Sequence, residues 1–218
     1  VPAGNAGKIE LGDPENLRLT NAFTIEGWIL PLTQTNSIAT EQLLFRGDSR
    51  QCLDPYYLAL ERFDNGHSDL HFHLENEDPG ACGIDLLTTG GVIARGETNW
   101  QHVTAVFEPS VSVTVGEGTN SFTAVTNQMR LYVNGVLVAS NYTGVIPFRD
   151  LDPAFSAGMS IGNRSRSDYS QAFLGVIDEL TVYGRALTTP EIQFVSTNRA
   201  GKADLTVPTA QSLAKLEV

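Results

Sequence analysis

The chain has 218 residues, 41% of them hydrophobic, enough for one large all-β domain or two small ones. Its 25 Asp and Glu outnumber 14 Lys and Arg, and the formal net charge of −11 argues against a nucleic-acid binder, because phosphate contacts need a basic surface. The same acidity suits a secreted protein that takes calcium through oxygen ligands, and equally a chain that uses charge only to stay in solution.

No stretch reaches the roughly 18 apolar residues that span a bilayer, so membrane insertion is not expected. The opening "VPAGNAGKIELG" carries no charged-then-apolar leader and reads as a piece of a longer modular protein. Helical periodicity is nearly absent. Short β-rich runs alternate with Gly, Asn, Asp and Pro clusters instead.

In "AFTIEGWIL", Phe23, Ile25, Gly27 and Ile29 share one face, and Thr24, Glu26, Trp28 and Leu30 the other. "YYLALERF" sets Tyr57, Ala59 and Glu61 against Leu58, Leu60 and Arg62, and "LHFHLEN" sets Leu70, Phe72 and Leu74 against His71, His73 and Glu75. "WQHVTAVFE" alternates Trp100, His102, Thr104 and Val106 with Gln101, Val103, Ala105 and Phe107. Period two over such lengths predicts half-buried strands.

Asn134-Gly135 in "MRLYVNGVLVAS" predicts a tight hairpin over 129–140, since both central residues of a type I′ turn need positive φ. "FLGVIDELTVY" predicts a late strand over Phe173 to Tyr183. Thr188-Thr189-Pro190-Glu191 then predicts a capping box and about two turns of helix through Val195. Residues 200–218 are polar and small and read as a linker or C-terminal arm, leaving 1–199 as the domain.

Cys52 and Cys82 lie in no CxxC motif, and no nearby histidine completes a zinc set. Their polar, loop-like surroundings favour a disulfide; two free thiols in a reducing compartment are the alternative. His71 and His73 share a strand face and could grip a transition metal. No third ligand is visible, so a solvent-facing polar strand is the better reading.

Seven blocks occur in order: "AFTIEGWIL", "LLFRGD", "YYLAL", "NWQHVTAVFE", "MRLYVNGVLVAS", "IGNRS" and "FLGVIDELTVYGRALTTPEI". This succession resembles the laminin-G-like jelly-roll family of the concanavalin A-like lectin and glucanase superfamily, over about residues 8–197. The resemblance implies an all-β sandwich of two curved antiparallel sheets with a short C-terminal helix. Residues 76–98 exceed a simple turn, and 109–125, with Gly116 and Gly118 at its bend, reads as an added hairpin.

Arg46-Gly47-Asp48 spells a tripeptide known as adhesion-receptor bait. In the family this position ends an early strand and turns sharply, so the bait reading is set aside and Gly47 is assigned to the turn. The resemblance implies a structural Ca2+ instead. It would be held by Asp178 from the late strand, the Gly47 carbonyl, a carbonyl between Gly4 and Lys8, and waters or Asp48. The alternative is that Asp178 caps a turn or pairs with Arg46.

The glucanases' Glu-x-Asp-x-x-Glu strand is absent, as are Gly-x-Ser-x-Gly, HExxH and a phosphate-binding glycine loop, so catalysis is not expected. A sugar site combines an aromatic platform with fixed polar groups. Two loops have that mixture: Asn163, Arg164, Arg166, Asp168 and Tyr169, and Tyr142, Arg149, Asp150 and Asp152. The expectation is a non-catalytic, extracellular or cell-surface recognition domain beside other domains of its chain, with a glycan as partner. A protein-binding adhesion module and a ligand-free spacer are the alternatives.

Overall fold

The computed structural model describes residues 7–33, 38–78, 80, 82–116, 121–164 and 171–198. The strands in chain order are β1 (Ile9–Gly12), β2 (Phe23–Pro31), β3 (Thr40–Gly47), β4 (Tyr56–Arg62), β5 (His67–Leu74) and β6 (Ile84–Leu87). They continue with β7 (Ile93–Ala94), β8 (Gln101–Val115), β9 (Phe122–Val133), β10 (Val136–Thr143), β11 (Gly158–Ile161) and β12 (Gly175–Tyr183), before the single α-helix of the described residues, α1 (Thr189–Thr197).

Two antiparallel sheets result. A seven-stranded sheet runs β1-β11-β3-β4-β5-β6, with β7 also on β5, and a five-stranded sheet runs β10-β9-β8-β2-β12. The expected all-β sandwich with one short C-terminal helix is what forms. Each strand contributes alternate residues to one core: Phe23, Ile25 and Ile29; Leu58 and Leu60; Leu70, Phe72 and Leu74; Val103, Ala105 and Phe107. Phe23 lies at the centre, its ring 5.1 Å from Tyr56, 6.0 Å from Phe72 and 5.6 Å from Phe107.

The predicted hairpin joins β9 to β10 at Asn134 (φ 49°) and Gly135 (φ 76°). A side chain at Gly135 would also strike the helix, because its Cβ would lie 2.5 Å from Ser196 Oγ. The added segment at 109–125 is a hairpin, with Val111–Val115 paired antiparallel to Phe122–Thr126, and it forms the outward continuation of β8 and β9, whose register breaks between Glu108 and Val111. Residues 76–98 are not wholly loop either, since they supply β6 and β7 to the edge of the seven-stranded sheet.

Half-burial underestimates the five-stranded sheet. Its outer residues Val106 and Tyr132 pack with Leu187 and Ile192, so the chain from β12 into α1 covers them. Thr24 Oγ1 donates to the Arg185 carbonyl at 2.9 Å, and the buried His102 lies 2.6 Å from Glu26. The capping box is present: Glu191 accepts from the Thr188 backbone N–H at 2.8 Å. The helix extends to Thr197, slightly beyond the predicted end.

Two buried arginines stand at opposite ends of β3. At one end Arg95 pairs with Glu41 of β3 and donates to Ser68 Oγ of β5 and to the Leu32 carbonyl just after β2, each at 2.8 Å. This guanidinium therefore ties the two sheets together. Burial dominates Glu41 and holds its carboxyl above the usual range in spite of Arg95. Arg46 occupies the other end.

Cys52 and Cys82 form a disulfide, with Cα atoms 4.4 Å apart, joining the loop after β3 to the approach to β6. Replacing both by serine should lower stability by about 3–4 kcal/mol, from the chain entropy of a loop of this length, as read by urea denaturation. The Arg185 guanidinium, then the Thr188 N–H, holds the Glu191 carboxyl down to about 2. A folded value below the ordinary 4.5 contributes stability above that pH and loses it as pH falls toward 2. Glu191→Gln should therefore flatten this acid limb in melts recorded across it.

Candidate functional site

The adhesion tripeptide is closed. Arg46 and Asp48 are both 0% exposed. Arg46 faces the same side as its partner across the ladder, Tyr56, and its guanidinium sits over that ring. It donates to Asp13 at 3.0 Å and to the carbonyls of Phe148 and Arg149 at 3.5 and 2.5 Å. Asp48 accepts from the Arg50 guanidinium at 2.6 Å, the Arg50 N–H at 2.9 Å and the Asp152 N–H at 3.3 Å. Gly47 ends β3 as predicted, but with an ordinary backbone conformation. It is glycine because a Cβ would lie 2.0 Å from Asp54 Oδ1.

The residues of the expected calcium set fall on both sheets, and positions 4–6 of its N-terminal carbonyl range lie outside the described residues. Gly47 and Asp48 belong to the seven-stranded sheet, and Asp48 already faces a guanidinium. Asp178 pairs with Trp28 in the five-stranded sheet. Its neighbour Ile177 packs on the core, so alternation turns Asp178 to the outer face. Arg46 pairs with Asp13, not with Asp178.

The two predicted sugar loops lie at opposite ends of β11. On one side Asp150 pairs with Arg18 and Arg149, and Asp152 caps the short helix Pro153–Phe155. Tyr142 is exposed on β10, the edge of the other sheet. On the other side Asn163 is fully buried, its carbonyl accepting from Ser160 Oγ at 2.6 Å. Arg164 places its guanidinium 5.9 Å from the Phe45 ring. Arg166, Asp168 and Tyr169 lie outside the described residues.

The strongest concentration of chemistry stands on the outer face of the seven-stranded sheet. Register aligns Ser160, Phe45, Tyr57, His73 and Asp85 as one row across β11, β3, β4, β5 and β6. Phe45 stacks on Tyr57 at 6.3 Å, and Tyr57 on His73 at 4.5 Å with 7° between the planes. In the next row Ala59 faces His71. Its small side chain leaves the imidazole room to stand edge-on to Tyr57, 5.1 Å away, and to reach carboxylates on both sides.

Those carboxylates fix both rings. His71 Nε2 lies 2.8 Å from Asp85 Oδ1, and His71 Nδ1 lies 2.9 Å from Glu61 Oε1. His73 Nδ1 lies 2.6 Å from the same Asp85 oxygen, and His73 Nε2 lies 3.5 Å from Glu75 Oε2. Glu61 is oriented by the Thr40 hydroxyl at 2.7 Å, and Glu75 by the Asp54 N–H at 3.0 Å. The histidines are 6% exposed, whereas 49% of the Asp85 side chain is open.

Burial alone would lower both histidine pKa values, but the bonds to Asp85, Glu61 and Glu75 outweigh it and raise them. Burial would raise that of Asp85, yet the two imidazoles hold it well below the carboxylate range. Burial first, then the charges of Asp85, Asp54 and Glu61, pushes up the Tyr57 phenol, which stays protonated and able to donate. Among the described residues, His71, His73 and Asp85 bring ligating atoms within 4.8 Å of one another. The sequence reading missed Asp85. The alternation in "GIDLL", Ile84 and Leu86 inward with Asp85 and Leu87 outward, was the available signal.

A two-sheet sandwich with a polar, aromatic-lined outer face defines a lectin-like β-sandwich. Residues 3–193 match a laminin-G family model described as concanavalin A-like lectin/glucanases superfamily, and the chain belongs to that family. No curated protein matches it in sequence. Among solved structures it is similar to the Ruminococcus gnavus IT-sialidase CBM40 bound to alpha2,3 sialyllactose, at 18% identity and a TM-score of 0.58, covering 88% of this chain and 100% of that one. It is similar to the leech intramolecular trans-sialidase at 19% identity and a TM-score of 0.59, over 90% of this chain but 28% of that one. The heptameric SAP-like pentraxin of Limulus polyphemus aligns at 16% identity with a TM-score of 0.52, over 87% and 81%. At these identities the likeness is one of fold.

Truncating Arg46 would take the buried donor from the Phe148 and Arg149 carbonyls and leave Asp13 with Arg18 alone. Arg46→Ala should cost about 3–5 kcal/mol in urea denaturation. Cell attachment to the intact protein should show no competition by an Arg-Gly-Asp peptide; competition would mean that the tripeptide becomes exposed.

Proposed function

We propose that this chain is a non-catalytic carbohydrate-recognition domain that meets its glycan on the outer face of the seven-stranded sheet. The observation that carries this reading is the fixed row Phe45–Tyr57–His73–Asp85, flanked by Glu61 and Arg164. Its rings stack on one another, so their flat faces are spent internally. The surface offers instead the Tyr57 phenol as donor and the Asp85 carboxylate as acceptor, both held by neighbours. Immobile donors and acceptors suit sugar hydroxyls, because little freedom is lost on binding.

Two further points support the reading. The five-stranded sheet has part of its outer face covered on the α1 side, which favours the opposite layer. Structures of like fold include modules described with sialyllactose. Glu61, Glu75 and Asp85 each face histidine, an arrangement that favours binding over an acid and nucleophile pair. The disulfide suits an oxidising, extracellular or cell-surface setting. Neighbouring domains of a larger protein would complete that setting. Among the described residues no helix is long and apolar enough to cross a membrane.

A glycan array with the purified chain tests this. Tyr57→Phe keeps the ring stack and removes one hydroxyl, and it should weaken binding to the best glycan by about tenfold. Tyr142→Ala, on the far sheet edge, should leave binding unchanged. Loss with Tyr142→Ala and none with Tyr57→Phe would move the site to that edge, and an empty array would leave the adhesion and spacer readings.

A further inference from the structure

We propose that His71, His73 and Asp85 form a binding site for a divalent transition metal, with Zn2+ the best fit. The inference does not rest on the glycan reading, because it concerns what these side chains do with the metal alone.

Each imidazole turns one nitrogen away from Asp85. His71 Nδ1 faces Glu61 at 2.9 Å, and His73 Nε2 faces Glu75 at 3.5 Å. A carboxylate behind each imidazole is the arrangement that orients histidine ligands and fixes their tautomer. When each remote N–H donates to its carboxylate, the near nitrogens, His71 Nε2 and His73 Nδ1, are left as lone pairs. Both point at Asp85 Oδ1, at 2.8 and 2.6 Å. Three acceptors then meet at one point, and such a cluster needs a cation. Either two extra protons supply it, one on each ring, or one metal ion does.

Geometry and chemistry favour a metal of the zinc type. The three residues sit on adjacent paired strands, His73 directly opposite Asp85 and His71 two residues back on the same face. Two imidazoles and one carboxylate suit Zn2+ and disfavour Ca2+, which takes oxygen ligands. Zinc bonds of about 2.0–2.1 Å in tetrahedral array put ligand atoms about 3.3 Å apart. The spacings of 2.8 and 2.6 Å must therefore open by about 0.5 and 0.7 Å, and the half-exposed Asp85 can withdraw that far while the histidines stay packed against Tyr57. Three protein ligands leave the fourth position to water or to an oxygen of a bound molecule.

The test uses the chelator-stripped chain, titrated with Zn2+ by calorimetry and with Co2+ by visible absorption. One ion should bind per chain, and Co2+ should develop the intense bands of a four-coordinate site. His71→Gln, His73→Gln and Asp85→Ala should each weaken Zn2+ binding by more than a hundredfold. Glu61→Gln, which touches no metal, should weaken it by about ten- to a hundredfold. His67→Gln, on exposed sequence outside the cluster, should change nothing. Circular dichroism separates lost binding from lost folding, and Glu61→Gln retains the imidazoles if an alanine variant fails to fold. No heat or absorption change with the wild type overturns the proposal. So does undiminished binding in the double variant His71→Gln, His73→Gln, which would place the ion elsewhere.

Discussion

A slip of β5 by one residue against β4 would drive Leu70, Phe72 and Leu74 out of the core and force two histidines into it. That penalty, several buried apolar side chains at about 1.5–3 kcal/mol each, fixes the register of the seven-stranded sheet. The outer row inherits the same register. Phe45, Tyr57, His73 and Asp85 stand side by side because the residues beneath them fill the interior. The site is thus a by-product of core packing on the opposite face of the same strands, and it needs no separate device to hold it level.

The core pattern was legible in the sequence because period two is a local property. Phe23, Ile25 and Ile29 could be assigned to the interior from nine residues of text, and the Asn134-Gly135 turn from two. The capping box ahead of α1 was readable for the same reason. The added hairpin was half legible: its strands were visible, but not that they prolong β8 and β9. That depends on a bulge at Ser110, whose positive φ no sequence pattern announces.

The site was less legible because its members meet through pairing between strands. His71 and His73 declared a common face, yet Asp85 lies in a four-residue strand inside what looked like a long loop. Nor could composition show that Arg46 turns inward. Arginine at the end of a strand reads as exposed until Asp13 and the 148–149 carbonyls close over it. The calcium set came from likeness rather than from the residues, and its members stand on both layers. Glycine at 47 was correctly expected at a strand end, but the crowding carboxylate of Asp54 is a long-range fact.

The placement of α1 sets the orientation of the whole domain. The helix lies over the five-stranded layer. The row of rings and carboxylates occupies the reverse surface. A molecule held at Asp85 and another held against α1 would therefore pull from opposite sides of the sandwich. Load would pass through its thickness, across the interdigitated side chains, instead of unzipping one sheet from its edge.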